Sequence, residues 1–272
     1  MSNRSVGYWF GVYRAEFTAS LNSLLQYRAA MAIWLIEMVI EPVIYLVVWS
    51  AVATARGGEV GGYQPANFAA YFIVFMLINH ITYSWTMWVF EDRIRSGTLS
   101  AKLLRPIHPI HSDIALNLAY KLLTLVTMIV TAILLVILFR PVFAFDLLYV
   151  SIGLGAALMG FLLRFLFEWA LALLSFWTTR MTGITELYYV TLLFLAGQVA
   201  PLTLFPEPIQ VVAHILPFKW MIAFPVEVTL GYLTLQQITT GVAIQLAWLG
   251  FSFVLLHVLW RNGLRRYSAV GG

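Results

Sequence analysis

Six long apolar runs constrain this chain of 272 residues more than any other feature of its sequence. A helix needs about 20 mostly apolar residues to cross the roughly 30 Å of hydrocarbon in a bilayer. We therefore predict an all-α, polytopic membrane protein with six transmembrane helices. The runs occupy residues 29–53, 68–90, 116–139, 147–176, 187–204 and 240–259.

The composition supports this fold class. Hydrophobic residues make up 61% of the chain and charged residues only 10%, whereas a soluble domain carries about 25% charged residues. We expect a single six-span domain over residues 29–272 and no separate soluble domain.

The basic residues predict the orientation. Most of the 16 lysines and arginines lie before the first run, between the second and third, after the fourth and after the sixth. The positive-inside rule places these segments, and with them both termini, in the cytoplasm. Because the basic residues form no single stripe, no nucleic-acid partner is predicted.

Several kinds of chemistry are excluded by residue type. The chain has no cysteine, so thiol catalysis and thiolate metal sites are excluded. His108 and His111 lack a third ligand nearby in sequence, and no metal site is predicted. None of Lys102, Lys121 and Lys219 follows a glycine, so a phosphate loop for ATP is missing. We expect a protein that is not an enzyme and holds no cofactor of its own.

Residues 1–28 have apolar side chains at helical spacing, among them Phe10, Phe17 and Leu24, with polar residues such as Arg14 between them. The pattern predicts an amphipathic helix that lies on the membrane surface. The alternative is a cytoplasmic extension of the first span.

The apolar segment 205–237 contains Pro206, Pro208, Pro217 and Pro225. Proline interrupts helices, so the pieces between these residues are too short to span a bilayer. We predict a re-entrant hairpin on the outer side, packed on protein. The alternative is a loop that rests on the membrane surface.

The inner connection 91–111 contains a turn at Gly97, followed by a short helix that ends before Pro106. One face of this helix carries Leu99, Leu103 and Leu104, which offer a soluble partner a place to dock. The alternative is an ordinary basic loop whose helix lies on lipid.

The motif Ile94-Arg95-Ser96-Gly97-Thr98-Leu99, followed by Leu103-Leu104-Arg105-Pro106-Ile107, resembles the inner-loop signature of type-2 ABC exporter permeases of bacteria. The likeness extends over nearly the whole chain, including Leu216-Pro217-Phe218 and residues 225–231 of the hairpin.

This resemblance implies a permease in the bacterial inner membrane that moves a substrate outward. Its partners would be two cytoplasmic ATPase subunits, which bind ATP and Mg²⁺, and a second permease, either a distinct homologous chain or an identical one. The inner connection would be the coupling helix, in which the leucines pack against the ATPase or hold the loop to the bundle. The residues assigned to coupling are Glu91, Asp92, Arg93, Arg95, Gly97, Leu99, Leu103, Leu104 and Arg105.

Ionisable and amide groups within the apolar runs are costly in a bilayer and mark candidate translocation-path residues. They are Glu37, Glu41, Asn79, His80, Arg164 and Glu168. Arg164 and Glu168 are one helical turn apart, so they either neutralise each other or contact substrate. His80 either bonds a neighbouring helix or binds a ligand, and Glu37 and Glu41 have no evident local partner.

A second function is compatible with these residues. Glu37, Glu41 and Glu168 could carry protons in a secondary transporter, although such folds often show internal repeats, and none is clear here.

Overall fold

The computed structural model describes residues 6–143, 146–178 and 180–267, and gives only the backbone of residues 6, 28–32 and 37. The first five residues of the predicted N-terminal segment thus lie outside the described residues. The fold is all-α, as predicted. Its helices are α1 (Val6–Gln26), α2 (Arg28–Ala55), α3 (Pro65–Thr82), α4 (Thr86–Arg95), α5 (Thr98–Leu103), α6 (Pro109–Phe139), α7 (Leu147–Ala172), α8 (Thr182–Leu195), α9 (Glu207–Ile215), α10 (Pro217–Met221), α11 (Ala223–Thr229) and α12 (Leu235–Arg266).

Five segments of the described chain are long and apolar enough to cross a membrane, and each coincides with a predicted run. They are Ile33–Ala55, Pro65–Arg95, Pro109–Phe139, Leu147–Phe176 and Leu235–Arg266. The chain is therefore a multi-pass membrane protein.

The fifth predicted span, 187–204, is not confirmed by helix length. Helix α8 has 14 residues, or about 21 Å at 1.5 Å per residue. It ends before Gly197, whose φ of 77° favours glycine. Tyr71 Oη donates to the Gly197 carbonyl at 2.8 Å, and Trp49 Nε1 donates to the Val199 carbonyl at 2.7 Å. Side chains of α2 and α3 therefore satisfy the backbone where the helix stops.

The centre of the bundle is formed by α3 and α7. In the segment Pro65–Arg95, 67% of the most apolar window is buried, against 12% for Ile33–Ala55 and 17% for Leu235–Arg266. The outward faces of α2, α6 and α12 are apolar, with exposed residues such as Ile44, Ile137 and Phe253. Such surfaces suit lipid or another membrane subunit.

The proline-rich segment packs into the bundle. Pro208 and Pro217 lie in the first turns of α9 and α10, where the missing N–H has no helical partner to lose. The Met221 carbonyl, at the end of α10, lies against Gly160 of α7. Gln245 Nε2 of α12 donates to the Ala156 and Trp220 carbonyls at 3.0 and 2.8 Å. The side chain of Gln245 thus joins α12 to α7 and α10 at the same depth in the bundle.

Helix α1 packs along the start of α6. The Tyr13 hydroxyl is 2.7 Å from His111 Nδ1, and Arg105 Nη1 donates to Glu16 Oε1 at 3.2 Å. Leu24 is buried and Phe10 is 72% exposed, so protein covers the apolar side chains of this helix only in part.

Candidate functional site

The first candidate site is the turn between α4 and α5, which carries the predicted coupling residues. Ser96 Oγ donates to the Asp92 carbonyl at 2.7 Å. Gly97 follows with a φ of 73°, a left-handed conformation that a side chain would strain. Helix α5 begins directly after it, so this glycine sets the angle between the two short helices.

A buried carboxylate, Asp113 of α6, holds both short helices. Arg93 Nη1 donates to Asp113 Oδ2 at 2.7 Å, Trp169 Nε1 of α7 donates to the same oxygen at 3.0 Å, and Lys102 Nζ lies 3.8 Å from Oδ1. Burial lowers the pKa of Lys102, an effect that the charge of Asp113 opposes. Through Asp113, the turn between α4 and α5 is tied to both α6 and α7.

Three further contacts fix the same turn at its edges. Ser100 Oγ is 2.8 Å from Tyr267 Oη, beyond the end of α12. Arg105 reaches Glu16 of α1, and Glu91 Oε1 accepts a hydrogen bond from the Met181 backbone at 3.4 Å. The turn is therefore held from four sides.

The structure separates the predicted coupling residues into buried and exposed groups. Leu99 is fully buried, Leu103 is partly buried against the core, and Leu104 is 88% exposed. Arg93 is buried with Asp113, whereas Asp92 and Arg95 are exposed and pair with each other at 3.3 Å. Of the predicted coupling residues, those exposed on the surface of the turn are thus Asp92, Arg95, Leu104 and Arg105.

His108 begins α6 at the base of this turn. Its ring packs on Trp260 at 4.3 Å between ring centroids, and its Nδ1 accepts a hydrogen bond from the Ile110 backbone at 3.2 Å. Burial first, and then the nearby charge of His111, lower the pKa of His108 to about 4. The neutral ring can therefore accept that bond at neutral pH. Within the described residues, no group of three potential metal ligands occurs.

The second candidate site is a buried polar cluster. Arg164 Nε donates to Glu168 Oε1 at 2.9 Å, as the one-turn spacing predicts, and Arg164 Nη1 donates to Asn79 Oδ1 of α3 at 3.0 Å. Tyr188 Oη of α8 donates to Glu168 Oε1 at 3.0 Å. Of the predicted path residues, the structure thus brings Arg164, Glu168 and Asn79 together.

The other predicted path residues have different neighbours. His80 Nε2 is 3.4 Å from the Lys121 carbonyl and 3.5 Å from Thr124 Oγ1, so it bonds between α3 and α6. Glu41 lies on α2, where the Tyr45 hydroxyl interacts with it, and lines a cavity that Asn79 and Arg164 also line. The side chain of Glu37 is outside the described part of the chain.

Sequence reasoning missed the structural role of Lys121. Helix α6 begins at Pro109, so Lys121 lies about 18 Å along it, at 1.5 Å per residue. Its Nζ donates to the Tyr83 carbonyl at 2.6 Å, where the helix is interrupted between α3 and α4. The signal available in the sequence was its place inside the predicted run 116–139.

A cavity of about 440 Å³ borders the polar cluster. Its polar lining consists of Glu41, Asn79, Arg164, Tyr189 and Gln198.

An adjoining cavity of about 340 Å³ is walled by aromatic rings. Both cavities are lined by Trp34, Tyr83, Trp88 and Tyr120, whereas Trp85 lines only the smaller one. Together they form a pocket with a polar end and an aromatic end.

Comparison with known families gives one match. The sequence profile of a family described as "ABC-2 family transporter protein" matches residues 39–271. The match contains the whole of α3 to α12, and with them the turn between α4 and α5 and the polar cluster of Arg164 and Glu168. No curated protein and no solved structure matches the chain.

Proposed function

The chain belongs to the ABC-2 family of transporter proteins, and from this premise we propose that it is the permease subunit of an ATP-driven exporter. Separate ATPase chains bind ATP and Mg²⁺ in the cytoplasm, and the permease moves a substrate outward across the bacterial inner membrane. The lack of a Gly-Lys phosphate loop in the 272 residues supports a separate ATPase.

In this proposal, residues 91–111 couple the permease to the ATPase. The observation that carries the proposal is an apolar side chain, Leu104, that is 88% exposed on a turn held from four sides. Asp92 and Arg95, at the end of α4, are also exposed and charged. Such a surface suits a protein partner, while Arg93, Leu99 and Leu103 hold the turn in place for it. Arg93 of α4 and Lys102 of α5 connect the turn to Asp113 of α6, and we propose that displacement of the turn passes to α6 by these contacts.

We further propose six membrane crossings, with α8 and the chain after it forming the fifth. The end of α10 lies beside Gly160, about 20 Å along α7 from Leu147 at 1.5 Å per residue. That depth supports a re-entrant hairpin over residues 205–237. An even number of crossings leaves both termini in the cytoplasm, where the basic segments favour them.

The remaining assignments follow from the same arrangement. Within the N-terminal segment 1–28, we propose that α1 lies on the membrane surface, with exposed apolar side chains such as Phe10 available to lipid, and that residues 29–272 form the membrane domain. A second permease, distinct or identical, covers part of the exposed apolar surface.

The contacts of Glu168 argue against the proton-coupled alternative. Its Oε1 accepts hydrogen bonds from both Arg164 and Tyr188. Glu168 is also fully buried, and a carboxyl group that two donors hold out of contact with water is poorly placed to exchange protons.

Photo-crosslinking tests the proposed coupling surface. A benzophenone amino acid at position 104 should crosslink, in cells, to a chain that carries a phosphate loop. The matched control is Leu147, which is 81% exposed at the start of α7 and should give no such product. Adducts of position 104 with lipid alone would contradict the proposal.

The substitution Leu104→Asp should lower recovery of the ATPase with the purified permease by about tenfold, the effect of losing one interface hot spot. Leu147→Asp should leave recovery unchanged. Equal recovery in both variants would remove Leu104 from the interface.

A further inference from the structure

We propose that Tyr267, the residue after α12, is a positioning residue that links α5 to the hairpin of α10 and α11 by way of α12. Displacement of α5 then reaches the hairpin along one helix, in addition to reaching α6 through Asp113. The inference rests on the proposed function in taking α5 as the element that the ATPase displaces. The link between Tyr267 and α5 is itself a property of this chain.

Helix α5 depends on its neighbours for its position. It has six residues, whereas isolated helices shorter than about 12–15 residues are marginal in water. Leu99 is buried in the bundle, and the hydroxyl oxygen of Ser100, the next residue, is 2.8 Å from that of Tyr267. The contact of Lys102 with Asp113 is longer, at 3.8 Å. The hydroxyl pair therefore links α5 directly to the end of α12.

Tyr267 is held against the last turn of α12. Its backbone N–H donates to the Gly263 carbonyl at 3.0 Å. Its ring meets the ring of Phe176 edge-on, at 5.8 Å between centroids. Phe176 also lies directly against Gly263, where an added side chain would collide with its ring. One aromatic ring thus packs on both Gly263 and Tyr267, and the Tyr267 hydroxyl is held in place relative to α12.

The same end of α12 packs on other helices through aromatic rings. Trp260 lies 4.3 Å from His108 of α6 and 5.4 Å from Trp169 of α7, between ring centroids. Phe90 of α4 lies 5.7 Å from Phe176. Ring pairs of this kind have preferred geometries and contribute more than their buried area alone. The end of α12 is therefore a packed part of the base of the turn between α4 and α5.

Helix α12 continues without interruption from Leu235 to Arg266. Gln245 lies about 33 Å along it from Tyr267, at 1.5 Å per residue, and its Nε2 donates to the Trp220 carbonyl of α10 at 2.8 Å. Gln245 is fully buried, so this hydrogen bond is strong in its low-dielectric surroundings. One helix thus contacts α5 at one end and α10 toward the other. Rigid elements of this kind carry coupling between distant sites.

The link between Tyr267 and α5 is tested on the full chain in nanodiscs, without an ATPase. Leu99→Cys places a thiol beneath α5, because Leu99 is fully buried and the chain has no other cysteine. The rate at which a maleimide labels this thiol measures how often α5 separates from the bundle. Tyr267→Phe should raise the rate about fivefold, the effect of losing one hydrogen bond. Tyr149→Phe, in the first turn of α7, should leave it unchanged.

A double-mutant cycle separates the hydroxyl pair from a general loosening of the protein. In a Ser100→Ala background, Tyr267→Phe should no longer change the labelling of position 99, because its partner is already missing. A buried reporter on α6, Ala115→Cys, should be labelled equally with and without Tyr267→Phe. An unchanged rate at position 99, a fivefold rise that persists in the Ser100→Ala background, or an equal rise at position 115 would each overturn the proposal.

Transmission along α12 is tested in the complex with the ATPase. Spin labels at Glu59→Cys and Glu207→Cys, both exposed, report the distance between the loop after α2 and the start of the hairpin segment. ATP with vanadate should change this distance in the parent and in Tyr149→Phe, and the change should be lost in Tyr267→Phe. A protein in which Tyr267 only stabilises the fold would keep this response to nucleotide.

An equal response in Tyr267→Phe, or no response in the parent, would overturn transmission through α12. Failure of the proposed function is recognised separately, by the absence of a crosslink from position 104 to the ATPase. The labelling experiment needs no ATPase, so it still decides whether Tyr267 holds α5.

Discussion

Asp113 is the single side chain on which the α4–α5 turn depends most. Its carboxylate accepts hydrogen bonds from Arg93 and Trp169 and lies near Lys102, so one residue joins four helices. A buried ion is tolerated only when its partners compensate for lost hydration. Removal of one partner is therefore more damaging than removal of both.

We expect Asp113→Asn to destabilise the protein by about 3 kcal/mol, because it leaves Arg93 as a buried cation with a neutral partner. The pair Arg93→Met with Asp113→Leu should be more stable than Asp113→Asn alone. Thermal unfolding in detergent measures both, with Asp92→Asn as the exposed control, expected within about 0.5 kcal/mol of the parent. If the double variant is as unstable as Asp113→Asn, an unpaired Arg93 is not the cause of the lost stability.

The buried polar cluster could be predicted only in part from the sequence. The Arg164–Glu168 pair follows from a spacing of four within one helix. Asn79 and Tyr188 come from other helices, and no local pattern marks a contact between residues so far apart in the chain.

At the scale of elements, the hairpin of α10 and α11 lies against a glycine-bearing face of α7. A side chain at Gly160 would meet the Met221 carbonyl, and one at Gly153 would meet Thr229. Small residues let helices approach closely, as is common in membrane bundles. The close approach is what permits short, proline-broken helices to pack at this depth.

Gly160→Ala should therefore destabilise the bundle by about 1–3 kcal/mol, the usual effect of overpacking. Gly155→Ala, on the same helix, meets no atom within 4 Å and should be neutral or stabilising by up to about 1 kcal/mol. The two variants are compared by their thermal unfolding. Equal effects would show that α10 does not pack closely on α7.

At the scale of the whole molecule, apolar surface is distributed unevenly. The segments of α2, α6 and α12 present most of their apolar side chains outward, whereas α3 and α7 fill the centre. Charged side chains at the two ends of the bundle remain exposed, and their unequal number determines the proposed orientation.

The orientation is testable because the chain has no cysteine, so single cysteines can be labelled without background. Ala101→Cys lies in α5, Glu59→Cys in the loop after α2, and Glu207→Cys at the start of α9; all three sites are exposed. A membrane-impermeant maleimide should label positions 59 and 207 in spheroplasts, and position 101 only after permeabilisation. Labelling of 101 in intact spheroplasts would invert the topology and exclude the coupling role.

Five spans and the break-up of the 205–237 segment followed from sequence alone. Insertion in a bilayer depends on the summed hydropathy of about 20 consecutive residues, and proline and glycine act on the backbone where they stand. Asp92, Arg93 and Arg95 were assigned to coupling together by the resemblance, and the sequence did not separate the buried Arg93 from the two exposed residues.

The end of α8, the split between buried Leu99 and exposed Leu104, and the role of Lys121 depended on three-dimensional packing. Helix α8 ends just before Gly197 and Val199, whose carbonyls accept hydrogen bonds from Tyr71 and Trp49. Leu99 is buried because α5 folds back onto the bundle. These outcomes are set by neighbours far away in the chain, since the free energy of a buried group depends on which partners surround it and not on its own type.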